Sequence, residues 1–128
     1  MARTPEAKVK HKVADILKAS GVYYFFPATY GYGRSGVADI ICCVGGRFLA
    51  IECKAGKNTP TLLQERELIK VLAAGGVALV INEKNVDEIA EVIEELKVMT
   101  VPLPSKSKTA QFERVNLSSS LSGGLPLK

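Results

Sequence analysis

The sequence has no apolar run near the 18 or so residues that a membrane-spanning helix needs. Its first stretch, MARTPEAKVKHK, is polar, and no apolar segment of the kind found in a secretory signal follows it. The expectation is a soluble protein, cytoplasmic if bacterial or viral, with no membrane partner. Cysteine is scarce and odd in number: Cys42, Cys43 and Cys53. All three lie in apolar, strand-like runs. They read as reduced core thiols and not as a disulfide framework. No CxxC or HxxxH spacing exists, which argues against a structural zinc site. His11 is the sole histidine, which rules out a histidine-rich metal site. Charge of one sign is not strongly dominant. The net charge of +4 and the pI of about 9.0 favour a polyanionic partner only weakly.

What is present is the composition of an ordinary globular domain, 47% hydrophobic in 128 residues. Thr4-Pro5-Glu6 reads as a helix start, and Val9, Val13, Ile16 and Leu17 recur at helical spacing until Gly21. Val22 to Phe26 is a β-branched and aromatic run typical of a strand. A glycine-rich loop, GYGRSG at 31–36, follows. Val37 to Val44 and Arg47 to Lys54 read as strands joined by the two-residue turn Gly45-Gly46. Thr59-Pro60 repeats the helix-start signal, with Leu62, Leu68, Ile69 and Leu72 as its apolar stripe and Gly75-Gly76 as its stop. Val77 to Ile81 is wholly apolar, the mark of a strand buried on both faces. A last helix follows, capped by Asn85, with Val86, Ile89, Ala90, Ile93 and Leu96 as its buried side. From residue 100 the chain turns rich in Ser, Pro, Gly and Lys. The expected organisation is one α/β domain over residues 1–99 and a low-complexity C-terminal tail or arm over 100–128.

The hairpin concentrates the chemistry. Counting outward from Gly45-Gly46 places Asp39 opposite Glu52. Opposed residues share a face, with Cβ atoms roughly 5 Å apart. Two carboxylates this close among apolar neighbours repel each other, and a divalent cation resolves the repulsion. Lys54 lies two residues beyond Glu52 and therefore on the same face. A lysine beside a metal-bound water could orient it or stabilise charge building on a phosphate.

Asp39, Glu52-Cys53-Lys54 and the order α-β-β-β-α-β resemble the D-x(n)-E-x-K signature and core of the PD-(D/E)XK nuclease superfamily. Within it the sequence is most similar to the VRR-NUC domain family. The pattern appears as Gly36-Val-Ala-Asp39, Ile51-Glu-Cys-Lys54 and Gln64, and it covers about residues 6–82. Ala38 stands where the family often has proline, a position that supplies no ligand. The resemblance implies a restriction-endonuclease-like α/β fold, with a mixed central sheet flanked by helices. It also implies phosphodiester hydrolysis with Mg²⁺ or Mn²⁺ held by Asp39, Glu52 and the backbone carbonyl of Cys53. Lys54 would act on the attacking water, and Gln64 would reach the site from the start of the second helix. Glu6 matches an acidic residue that such nucleases carry on the first helix, as a further metal-side group. Arg34, Ser35, Lys57, Lys8 and His11 are candidate DNA contacts. Small stand-alone members look like phage proteins that act as homodimers on branched DNA such as Holliday junctions, which suits twofold symmetry. A nicked, flapped or ordinary duplex is the other substrate class. Two further readings stay open on the sequence: a nucleic-acid-binding module of the same fold without turnover, and an unrelated α/β interaction protein whose acidic pair is structural.

Overall fold

Thr4 caps the first helix as its sequence predicts. Its hydroxyl accepts from the Ala7 N–H at 3.1 Å, and Pro5 opens α1 (Pro5–Ala19). The helix ends with Val22 N–H returning to Leu17 O and Gly21 N–H to Lys18 O, the paired bonds that close a helix C-terminus. The computed structural model describes residues 3–28 and 35–99. After α1 come β1 (Tyr23–Phe25), β2 (Ile40–Val44), β3 (Arg47–Cys53), α2 (Leu62–Ala73), β4 (Val77–Ile81) and α3 (Glu88–Val98). This is the expected element order. The four strands form one mixed sheet in the order β1-β2-β3-β4, antiparallel except for the parallel pair β3–β4. No described helix is long and apolar enough to cross a membrane. The tail at 100–128, and with it that part of the domain division, lies outside the described residues, as do Arg34 and most of the glycine-rich loop.

The Gly45-Gly46 turn sets the hairpin register as counted from the sequence. Val44 pairs with Arg47, and the ladder runs to Ile40 opposite Ile51. That register sorts β3 onto two faces. Leu49, Ile51 and Cys53 enter the main core beneath α1 and α3, with Val13, Leu17, Ile89 and Ile93. Ala50 enters a smaller cluster beneath α2, with Ala38 and Leu68. By alternation Glu52 and Lys54 belong to this α2 side.

The two faces are unequally covered, and several expectations are corrected by that. Of the stripe read for α2, only Leu68 is buried; Leu62, Ile69 and Leu72 are exposed. The helix meets the sheet through Leu68 and Val71, against Ala50 and Ala78, and Leu62, Ile69 and Leu72 lie on the faces turned away from that contact. β4 is an edge strand, so it is not buried on both faces, and Val80 is 39% exposed. The α2 side of β1 and β2 is open. Tyr23, Cys43 and Phe48 lie side by side there, all exposed, which removes Cys43 from the core while Cys42 and Cys53 remain in it.

Boundaries shift where a side chain competes with the strand or helix pattern. α2 starts at an N-cap Thr61, two residues after the expected Thr59. Asn85 is not the cap of α3. Its side chain accepts from Asn82 N–H at 2.7 Å and donates to Val80 O, so it ties the β4–α3 loop, and Asp87 takes the cap position. Ala90 is exposed, whereas Val86, Ile89, Ile93 and Leu96 are buried as expected. Finally, β2 begins at Ile40 and not at Val37, a difference that belongs to the site itself.

Candidate active site at the end of the β2–β3 hairpin

β3 carries Glu52 into an almost closed position. Its side chain is 1% exposed, and neither carboxylate oxygen has a hydrogen-bond partner of good geometry. Lys54, itself buried, places Nζ 3.5 Å from Oε2, an ion pair and not a well-formed hydrogen bond. Burial pushes the Glu52 carboxyl up to about 7, the Asp39 charge adds to the rise, and Lys54 pulls against it. A buried carboxylate with no hydrogen bond to either oxygen, beside a second carboxylate, is only partly compensated by one lysine at 3.5 Å, and a further cation would complete the compensation.

Asp39 reaches this spot by a route the sequence count does not show. The β-ladder stops at Ile40–Ile51, so Asp39 is not a paired strand residue. Its Oδ2 instead accepts the Cys53 N–H at 2.8 Å. The side chain thus takes over a backbone partner at the strand end, and its carboxylate stays next to Glu52. Gly36 explains the departure. It has φ +77°, and a Cβ there would stand 2.6 Å from Leu63 O. Only a glycine lets the chain turn this tightly against the first turn of α2 before entering Asp39.

Gln64 is used locally. Its Oε1 accepts from Thr61 N–H at 2.8 Å while its own N–H donates to Thr61 Oγ1 at 3.2 Å, a reciprocal capping box. The structure therefore brings Gln64 to the helix start beside Gly36 and commits its carbonyl oxygen to the cap. Glu6 is half-buried in the first turn of α1, and its charge is felt at the Cys53 thiol. Among the described residues no group of three or more His, Cys, Asp or Glu is placed to hold a metal ion, so Glu6 does not join Asp39 and Glu52 in one cluster. The Cys53 thiol faces the core, and burial, with the charges of Asp39 and Glu52, pushes it up to about 12. It stays protonated, so only the Cys53 backbone is a possible ligand.

The basic candidates are dispersed. Ser35 and Lys57 are exposed, the latter in the turn that follows the site lysine. His11 faces Asp15 at 3.6 Å on the outer side of α1. Lys8 is on the flank away from Glu6. There it lines a cleft of about 250 Å³ with Pro5, Val9, Lys12, Ala55, Glu83 and Val86.

Three residues near the site escape a reading of the strand motif alone. Glu83 Oε1 accepts the Gly56 N–H at 2.7 Å and ties the turn after Lys54 to the β4–α3 loop. Lys10 and Phe26 meet at the rim, with Lys10 Nζ 5.0 Å from the ring centroid. Lys10 was recoverable, since it lies four residues after Glu6 and so on the same helical flank. Glu83 carries no local signal, because its partner is a backbone group distant in sequence.

No family model matches the chain. It is 32% identical over 81 residues to "Putative nuclease p44" of Acyrthosiphon pisum secondary endosymbiont phage 1, a match spanning 62% of this chain and 84% of that protein. The fold is similar to that of a solved "VRR_NUC domain protein", with a TM-score of 0.58 and 19% identity, over 78% of this chain and 93% of that one. The phage relative, the shared fold and the Asp39, Glu52 and Lys54 arrangement agree, and the chain belongs to the VRR-NUC nuclease family.

Proposed function

We propose that the protein is a metal-dependent DNA endonuclease that hydrolyses phosphodiester bonds, with a preference for branched DNA such as a Holliday junction or for nicked sites. The observation that carries this is Glu52: a buried carboxylate, both oxygens without hydrogen-bond partners, beside a second carboxylate and a lysine. Such a donor set fits a hard divalent cation, Mg²⁺ or Mn²⁺, with Asp39, Glu52 and the Cys53 carbonyl as its protein ligands. When bound, the ion supplies charge neutralisation and polarisation of the phosphate.

The residues themselves divide the remaining work. Asp39, anchored by the Cys53 N–H, is held in one orientation. Lys54 presents Nζ toward Glu52 and whatever oxygen approaches that carboxylate, which orients an attacking water and stabilises negative charge on phosphate. Gln64 and its capping box fix the start of α2, against which Gly36 sets the approach to Asp39. Ser35 and Lys57, with Arg34 next to Ser35 in sequence, contribute phosphate contacts at this centre, and Lys8 and His11, which point elsewhere from α1, contact DNA only further out. The exposed apolar side chains Tyr23, Phe25 and Phe48 support a homodimer, because such a patch is unusual on a solitary small domain.

The test is incubation with supercoiled plasmid and with a synthetic four-way junction in Mg²⁺, Mn²⁺ or EDTA. Cutting with metal, lost in EDTA and in Asp39→Asn and Glu52→Gln, is the expected result. Cutting that persists in those variants overturns the assigned site. Binding without cutting under every metal makes the protein a binding module.

A further inference from the structure

α1 presents its basic residues in different directions. His11 faces Asp15, Lys12 faces Asp87 at 3.9 Å, and Lys8 lies on the flank of the Pro5–Val86 cleft. Lys10 alone of these stands on the flank of Glu6 and extends over Phe26, the residue that follows β1. Phe26 is 45% exposed and is braced edge-on by Tyr24, with ring centroids 6.0 Å apart at 86°. The lysine and the ring thus form a surface unit on the α1 side of the sheet, at the end where β1 finishes and β3 delivers Cys53, whose thiol feels the Lys10 charge.

A phosphodiester approaching this end meets the acidic pair Asp39 and Glu52, while Lys54 is engaged with Glu52. A cation at the rim lowers that repulsion. An ammonium seated on a ring is already restricted in its rotamers, so less freedom is lost when it contacts an anion. The contact with the ring face engages one side of Nζ, and a lysine has three donors.

We infer that Lys10 contacts a substrate phosphate next to the scissile one and that Phe26 is its positioning residue. The inference rests on the nuclease reading above, and it adds a residue on α1 to a site otherwise built from the hairpin. The contact is sequence-independent, so it raises affinity for DNA of any shape and leaves the chemical step alone.

The experiment measures kcat, KM and the salt dependence of binding on a synthetic four-way junction of mixed sequence, with binding measured in EDTA. Lys10→Gln is expected to raise KM roughly five-fold with kcat nearly unchanged, and to lower the slope of log K against log salt by about one. Lys10→Arg restores both. Phe26→Leu gives a smaller rise in KM, and Phe26→Tyr, which keeps the ring, restores it. Lys18→Gln, an exposed change in the last turn of the same helix, is the control. A Lys10→Gln protein whose KM and salt slope match the Lys18→Gln control, while the wild type cuts, overturns this inference and leaves the proposed function standing. A lowered melting temperature with KM and slope unmoved makes the Lys10–Phe26 contact merely structural and overturns it equally. A wild type that neither binds nor cuts overturns both.

Discussion

Neutralising Glu52 should stabilise the metal-free protein, by an amount that grows with pH. In the unfolded chain this carboxyl titrates at the ordinary 4.5, and in the fold at about 7. Below pH 4.5 it is protonated in both states, so nothing is lost on folding. As pH rises the unfolded chain ionises first, and the stability contributed by the protonated group is lost by the time pH passes 7. The difference between 4.5 and about 7 corresponds to about 3 kcal/mol at full ionisation. Glu52→Gln removes the ionisation and keeps the shape, with a carbonyl oxygen for Lys54 and an amide donor for Asp39. Its advantage over the wild type should be near zero at pH 4.5 and about 3 kcal/mol at pH 8. For a domain of this size that is roughly 10–20 °C in Tm. Thermal melts in EDTA at unit pH steps, followed by circular dichroism, measure it. A Tm difference that stays constant from pH 5 to 8, or that shrinks with rising pH, would refute the reasoning. Pairing with Lys54 would then outweigh burial and the Asp39 charge.

Other outcomes follow from the same geometry. Mg²⁺ or Mn²⁺ should raise the wild-type Tm through preferential binding to the folded state, and the rise should vanish in Glu52→Gln; an equal rise in both places the ion elsewhere. Gly36→Ala should cost about 1–3 kcal/mol in urea unfolding, because the new Cβ meets the Leu63 carbonyl at 2.6 Å and φ is +77°. A thiol reagent at pH 8 should modify Cys43 promptly, and reach Cys42 and Cys53 only on unfolding. Cys43 is exposed, and burial pushes the other two thiols up to about 12.

The parts of the fold that were legible in the sequence are those in which one local rule acts unopposed. Thr4-Pro5 starts a helix because the cap and the fixed proline φ agree. Gly45-Gly46 sets the hairpin register because both residues take positive φ, and that register puts Glu52 on the side of Ala50 and away from Ile51. The misreadings arise where a distant partner intervenes. Val37 and Ala38 have strand-forming character, yet the chain turns at Gly36 to clear α2, which has no sequence neighbourhood with it. Leu62, Ile69 and Leu72 have helical periodicity, but the helix docks on the sheet through its Leu68 and Val71 side and leaves that stripe exposed. At the site, the nearness of Asp39 to Glu52 followed from counting the register, although the ladder stops one pair short at Ile40–Ile51, whereas the Asp39–Cys53 bond did not. Lys10 and Phe26 come together only when α1 lies across the end of β1.

Gln64 is where motif and structure pull apart most clearly, and one pair of substitutions separates them. The motif gives it chemistry; the structure gives it a capping box, with Oε1 on the Thr61 N–H. Glutamate serves the same box, and its charge suits a helix N-terminus. Gln64→Glu should therefore hold the Tm of the wild type, while Gln64→Ala loses about 1 kcal/mol. If Gln64 acts through the cap, kcat follows stability: Gln64→Glu cuts at close to the wild-type rate, and Gln64→Ala cuts more slowly because the head of α2, and with it Gly36, is less firmly held. If the amide itself touches the substrate, Gln64→Glu keeps its Tm and loses kcat, since a carboxylate would face a phosphate. The geometry favours the first outcome, because the carbonyl oxygen of the side chain is already engaged in the cap and the residue sits beside the glycine that sets the approach to Asp39.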